Sequence, residues 1–139
     1  MICVYYADIP DKARDYTADG FPPAFPDVWR EYVRSIKDDN RRRQSFFVRV
    51  LLLYALKKNG IKAAAFSEKD GRWNISSPLT PVDFSLSHSG NTVVAAINPN
   101  GKTGADGEYI VTVAAEDESA ANGAEFVRIK DLEKCIPYI

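Results

Sequence analysis

One apolar stripe constrains this chain more than any other feature. Phe46, Phe47, Val50, Leu51, Tyr54 and Ala55 recur at three- and four-residue spacing, which gathers them on one face of an α-helix. Asp38-Asp39-Asn40 precedes the stripe and Gly60 follows it. The spacing therefore predicts a helix that begins after Asn40 and ends at a glycine cap. A stripe of this length needs a covering surface, and the rest of the chain offers mostly strands to supply it.

Upstream, residues 2–6 form a short β-rich run and residues 7–20 are polar. Phe21-Pro22-Pro23-Ala24-Phe25-Pro26 reads as a structured loop, because each proline removes a backbone donor and fixes φ. Asp27 then stands where an N-cap belongs. Val28, Trp29, Tyr32, Val33 and Ile36 follow at helical spacing, predicting a first helix that runs to about Lys37. Downstream of Gly60 the pattern predicts strands over 61–66, 73–75, 84–87, 92–97, 109–115 and 126–129. Lys69-Asp70-Gly71, residues 77–81 and Gly90-Asn91 read as turns or loops between them. Gly101, Gly104 and Gly107 mark a flexible connection, residues 116–123 an acidic loop, and residues 131–135 at most one helical turn. The order β, α, α and then mostly β predicts an α+β fold, an antiparallel sheet packed against the long helix. A chain of 139 residues, 45% hydrophobic, can bury a core without metal or disulfides, so one domain over residues 1–139 is expected.

Cys3 and Cys135 lie near opposite ends with no metal-ligand spacing, and a reducing compartment is the simplest reading. The apolar run Val50 to Leu53, within a segment broken by Arg49 and Lys57, is far short of the ~20 residues of a membrane span. No signal-peptide pattern follows Met1. A cytoplasmic location is expected. The formal charge of -1 conceals a strong asymmetry: residues 1–29 carry -3, residues 30–62 carry +7 and residues 63–139 carry -5. A basic segment inside an acidic chain suits a phosphorylated ligand better than a long nucleic acid. A solvated helix face is the other reading of the same charges.

The only histidine, His88, sits in Phe84-Ser85-Leu86-Ser87-His88-Ser89-Gly90-Asn91. A tight turn there presents hydroxyls, amides and an imidazole at one end of the sheet, which is a phosphate cradle; a histidine that caps the turn by hydrogen bonds is the alternative. A Ser-His nucleophile pair is disfavoured, since adjacent residues on an extended chain point apart.

Phe84 to Gly90, followed by Val93-Val94-Ala95-Ala96-Ile97, resembles the signature of 4'-phosphopantetheinyl transferases of the Sfp type. Those enzymes move the phosphopantetheine arm of coenzyme A onto a serine of an apo acyl or peptidyl carrier protein. The resemblance spans roughly residues 1–97. It includes the Arg-rich helix start leading into Leu51-Leu52-Leu53, the Gly60 ending, and Gly71-Arg72-Trp73 where the family usually has Gly-Lys-Pro.

The resemblance implies one half of the family's pseudo-dimer, with Arg43, Arg72, Ser87 and His88 on the coenzyme A phosphates and Arg41 or Arg42 as register alternatives to Arg43. Arg72 keeps the charge of the family's lysine with a different geometry; Trp73 departs from its proline. Gly104-Ala105-Asp106-Gly107-Glu108 fits the family's Gly-x-Asp-x-Glu magnesium strand. Residues two apart on a strand share a face, so Asp106 and Glu108 suit Mg2+ beside a pyrophosphate. Against this, Gly107 stands where the family has an apolar residue, and glycines on both sides of Asp106 suit a mobile loop better than a rigid strand.

In a second alignment, residues 108–115 and 125–132 resemble the C-terminal end of such enzymes, as if the middle were removed. In either alignment the family's Trp-x-x-Lys-Glu-x-x-x-Lys helix has no counterpart, Glu133-Lys134 being only a dipeptide. A homodimer would restore the scaffold of the missing half but not its residues. Three functions are therefore weighed. They are a phosphopantetheinyl transferase using coenzyme A and Mg2+, a non-catalytic coenzyme A or carrier-protein binding module, and a nucleic-acid binder resting only on the charge of Arg41, Arg42 and Arg43.

Overall fold

A computed structural model of the chain describes residues 2–11, 14–61, 65–69, 72–76, 81–98 and 124–139. Its elements run β1 (Ile2–Asp8), α1 (Tyr16–Asp19), α2 (Asp27–Ser35), α3 (Asp39–Lys58), β2 (Ala65–Lys69), β3 (Arg72–Ser76), β4 (Pro81–Ser89), β5 (Thr92–Asn98), β6 (Ala124–Ile129) and a closing 3-10 helix (Leu132–Tyr138). The predicted strand 109–115, the acidic loop and the glycine-marked connection lie outside the described residues.

α3 starts at Asp39, ahead of the expected point, because the Asp38 carboxylate accepts from the Arg41 amide at 2.9 Å and caps the first turn. Asp38→Ala is expected to lower stability by about 1 kcal/mol, seen as an earlier urea midpoint at unchanged slope. At the other end Gly60 takes φ +74, a left-handed conformation that suits glycine. The Ile61 amide donates to the Leu56 carbonyl and the Gly60 amide to that of Lys57, the paired bonds of a Schellman motif. Ile61 thus finishes the helix instead of opening the strand predicted over 61–66, and β2 begins only at Ala65.

α2 begins at Asp27, with Pro26 rather than Asp27 as its N-cap. The reason is the Pro26 carbonyl, which accepts from the amides of both Trp29 and Arg30. The helix stops at Ser35, where Ile36 turns to extended backbone. Within the polar stretch 7–20, the Asp15 carboxylate accepts from the amides of Thr17 and Ala18 and from the Thr17 hydroxyl, which raises the short α1. Those bonds, the Thr17 hydroxyl foremost, hold the Asp15 carboxyl below its ordinary value.

The strands are ordered β2-β3-β4-β5-β1-β6. The four strands β4-β5-β1-β6 form a mixed sheet, with α3 packed against β4, β5 and β1. β3 joins β4 through Ile75↔Val82 and Ser76↔Pro81. The α+β class is as expected, but the sheet is not wholly antiparallel, because β6 pairs parallel with β1. No hairpin dictates direction there: β1 and β6 are separated by most of the chain, and a parallel pair requires only a long connection. Pro81, expected in a loop, opens β4 as its first residue, a position that tolerates a missing donor.

Alternation along the strands sorts the two faces. Cys3, Tyr5, Ala7, Val93, Ala95 and Ile97 join the core beneath the helices, while Val4, Val94 and Ala96 are buried on the opposite face. In α3 the whole run from Phe46 to Leu52 is buried. The sheet, α2 and the closing 3-10 helix all contact α3, so it is enclosed well beyond the single predicted stripe. Among the described residues no helix is long and apolar enough to cross a membrane.

Candidate phosphate-binding groove

Arg41, Ser45, Val48 and Arg49 recur at i, i+4, i+7 and i+8 along α3, so they lie on one helix face. Against this face stand Tyr32 and Ile36 from the end of α2, and Leu86, Ser87 and His88 from β4. Together they line a groove of about 310 Å³. Among the described residues its lining carries two guanidiniums and one imidazole and no carboxylate. The groove is therefore electropositive by construction.

His88 and Ser87 lie within β4, because Gly90 and Asn91 alone make the hairpin turn, with Gly90 at φ +59. His88 pairs with Val93 and Leu86 with Ala95, on the helix-covered face; Ser87 pairs with Val94, on the other. Ser87 borders the groove but belongs by register to the opposite face. His88, which is exposed, is the strand's polar contribution on the groove side.

Arg43 is elsewhere. Residues two apart on a helix are about 200° apart around its axis, so Arg43 cannot share the face that presents Arg41. Its guanidinium donates to the Pro10 carbonyl and borders two other hollows. One is shared with Arg14, Tyr16, Arg42 and Phe46, the other with Gln44, Gly90 and Asn91. Gln44 closes the second by donating to the Gly90 carbonyl at 2.7 Å. Of the three register alternatives, Arg41 is thus the one that shares a groove with His88. Arg72 opens β3 opposite Lys69, and only its backbone position is described. Asp106 and Glu108, the residues expected to hold Mg2+, lie outside the described residues. Among the described residues no group of three or more His, Cys, Asp or Glu side chains is placed to hold a metal ion.

The groove's floor holds a residue that the expected phosphate ligands did not include. Arg49 is only 6% exposed. Its guanidinium lies 5.6 Å from the Trp29 ring and 4.9 Å from the Tyr32 ring. Its hydrogen bonds among the described residues leave from Nη1, to the Ser45 carbonyl at 3.0 Å and the Ser45 hydroxyl at 2.6 Å. Nε is buried with no partner. Burial pushes the guanidinium down to about 10, with only the Tyr32 hydroxyl opposing the shift. It remains charged at neutral pH. The signal was present in the sequence, as the one charged residue inside Phe46-Phe47-Val48-Arg49-Val50-Leu51-Leu52-Leu53.

Both cysteines are free and buried, and burial pushes both thiols up. Neither has the lowered thiol of a nucleophile. A scan against family models, a search of curated proteins and a search of solved structures find no match to this chain.

Proposed function

We propose that this chain is a phosphopantetheinyl transferase-like protein that holds coenzyme A by its phosphates in the groove between α3 and β4. The single observation that carries the reading is the convergence of His88 and Arg41 on one carboxylate-free groove. His88 comes from the signature strand and Arg41 from the arginine-rich helix start, which are the two segments of the resemblance. Their separation in sequence makes the convergence a product of folding.

In this reading Arg41 and His88 draw the phosphate oxygens by charge-assisted hydrogen bonds, and the apolar Ile36, Val48 and Leu86 exclude water from the contact. Transfer to a carrier-protein serine needs more. A base must take the hydroxyl proton and a charge must stabilise the departing phosphorylated nucleotide, each contributing 10²-fold or more in typical enzymes. Asp106 and Glu108 are the residues available for Mg2+, which would neutralise the pyrophosphate. The missing Trp-x-x-Lys-Glu-x-x-x-Lys pattern favours a second reading, a coenzyme A or carrier-protein binding module without turnover.

Calorimetric titration of coenzyme A, with and without Mg2+, tests the common part. Saturable binding that weakens about tenfold in His88→Ala is expected, with further weakening as salt screens the groove. Absence of binding to the wild-type protein would refute the transferase and the coenzyme A module, leaving only a carrier-protein binding module. Where binding holds, incubation with an apo carrier protein, coenzyme A and Mg2+ separates them: a mass gain of one phosphopantetheine on the carrier identifies the transferase, and its absence the module.

A further inference from the structure

The structure assigns Arg49 as the anchor of an oxyanion site at the floor of the groove, one that takes a phosphate group of a phosphorylated ligand. This deepens the reading above and rests on the groove being a ligand site; it does not require the ligand to be coenzyme A. Arg49 as a residue is only 6% exposed, and its guanidinium has no carboxylate partner among the described residues. A buried ion ordinarily has a counter-ion, because desolvation of a lone charge is expensive. Both of its polar contacts are neutral, from one serine.

The two rings and Ser45 also define which edge remains. The guanidinium has an aromatic ring near it on Trp29 and another on Tyr32, and Nη1 is occupied by Ser45. Nε is left as an orphaned donor. A guanidinium held in this way lacks one thing, an acceptor for its unused edge, and a phosphate provides the matching planar pair of oxygens. An acceptor that reaches the Nε edge displaces no hydrogen bond there, and the Nη1 bonds to Ser45 stay in place. Arg41 stands two turns away, about 12 Å along the helix, so the two guanidiniums address different ends of the groove. A volume of about 310 Å³ leaves room beyond the phosphate for part of the molecule esterified to it.

The test uses inorganic phosphate on the full chain at constant ionic strength, with chloride as the control anion. Phosphate is expected to shift the Arg49 Nε–Hε resonance in 15N NMR saturably, with the His88 ring resonances following. Affinity should fall about ten- to a hundredfold in Arg49→Met and remain weakened in Arg49→Lys, which keeps the charge without the fork. An Arg49 Nε–Hε resonance that phosphate leaves unmoved overturns the inference, and so does unchanged affinity in Arg49→Met. The wild-type resonance decides the matter even if a variant fails to fold. Phosphate bound at Arg49 without coenzyme A binding would refute the functional reading alone. Coenzyme A bound without any Arg49 response would refute this one alone.

Discussion

Replacing Arg49 with methionine should make the unliganded protein more stable at neutral pH, by about 1–3 kcal/mol, which is roughly 3–10 °C in the thermal midpoint. The expectation follows from the price of an unpaired buried charge. A guanidinium that burial pushes down to about 10 costs the folded state on the order of 3 kcal/mol at 1.36 kcal/mol per unit. Methionine fills a similar length and keeps the contact with Trp29 and Tyr32, while Ser45 retains its backbone helix bonding.

The sign with pH follows from linkage. A base whose folded value lies below its unfolded value binds fewer protons in the folded state, so its penalty is full at neutral pH and is relieved as pH rises through about 10 towards the ordinary guanidinium range. The advantage of Arg49→Met should therefore shrink above pH 10. Tyr5 and Tyr16, both raised chiefly by burial, titrate in the same alkaline range. Their contributions are common to both proteins and cancel in the difference. Paired urea melts at pH 7.5 and pH 10.5 measure it. A variant less stable than wild type at pH 7.5 would show that the ring contacts and the Ser45 bonds outweigh desolvation, removing the energetic case for a functional Arg49.

Trp29→Ala should act in the opposite direction at the same place, with a loss of about 3–5 kcal/mol and roughly 10–20 °C. Trp29 is 1% exposed and among the largest fully buried side chains. Its ring packs edge to face on Phe25 at 5.7 Å and also lies under the Arg49 guanidinium. Truncation leaves a cavity between α2 and α3 that neighbouring rings cannot fill without moving. It also takes one ring from Arg49, so the two changes should not be additive. A double-mutant cycle by thermal melts reads the coupling. A coupling within error of zero would mean that Trp29 does not position Arg49 and that the floor of the groove is held by Ser45 and Tyr32.

These two residues show how unevenly the candidate site could be read from sequence. His88 stands out as a lone histidine among serines, while Arg41 was only a register alternative to Arg43 among the three consecutive arginines that open a helix. Trp29 was legible as an apolar helical position but not as a ring for a cation. Arg49 was visible only as an interruption of an apolar run. Arg43 lines other hollows than the His88 groove, since a step of two residues on a helix changes the face entirely.

What the sequence alone determined was local. The apolar spacing and the Asp38 and Gly60 caps set α3, Gly90-Asn91 set the β4–β5 hairpin, and alternation set which strand residues face the helices. Each depends on groups within a few residues of one another, where covalent geometry and short hydrogen bonds decide the outcome. The tertiary structure decided the parallel β1–β6 pairing, the enclosure of α3, and the meeting of Arg41, Arg49 and His88 in one groove. Those depend on which surfaces pack together across dozens of residues, and burial acquires its electrostatic meaning only there: Arg49 is an ordinary helix cation until α2 and its two rings close over it.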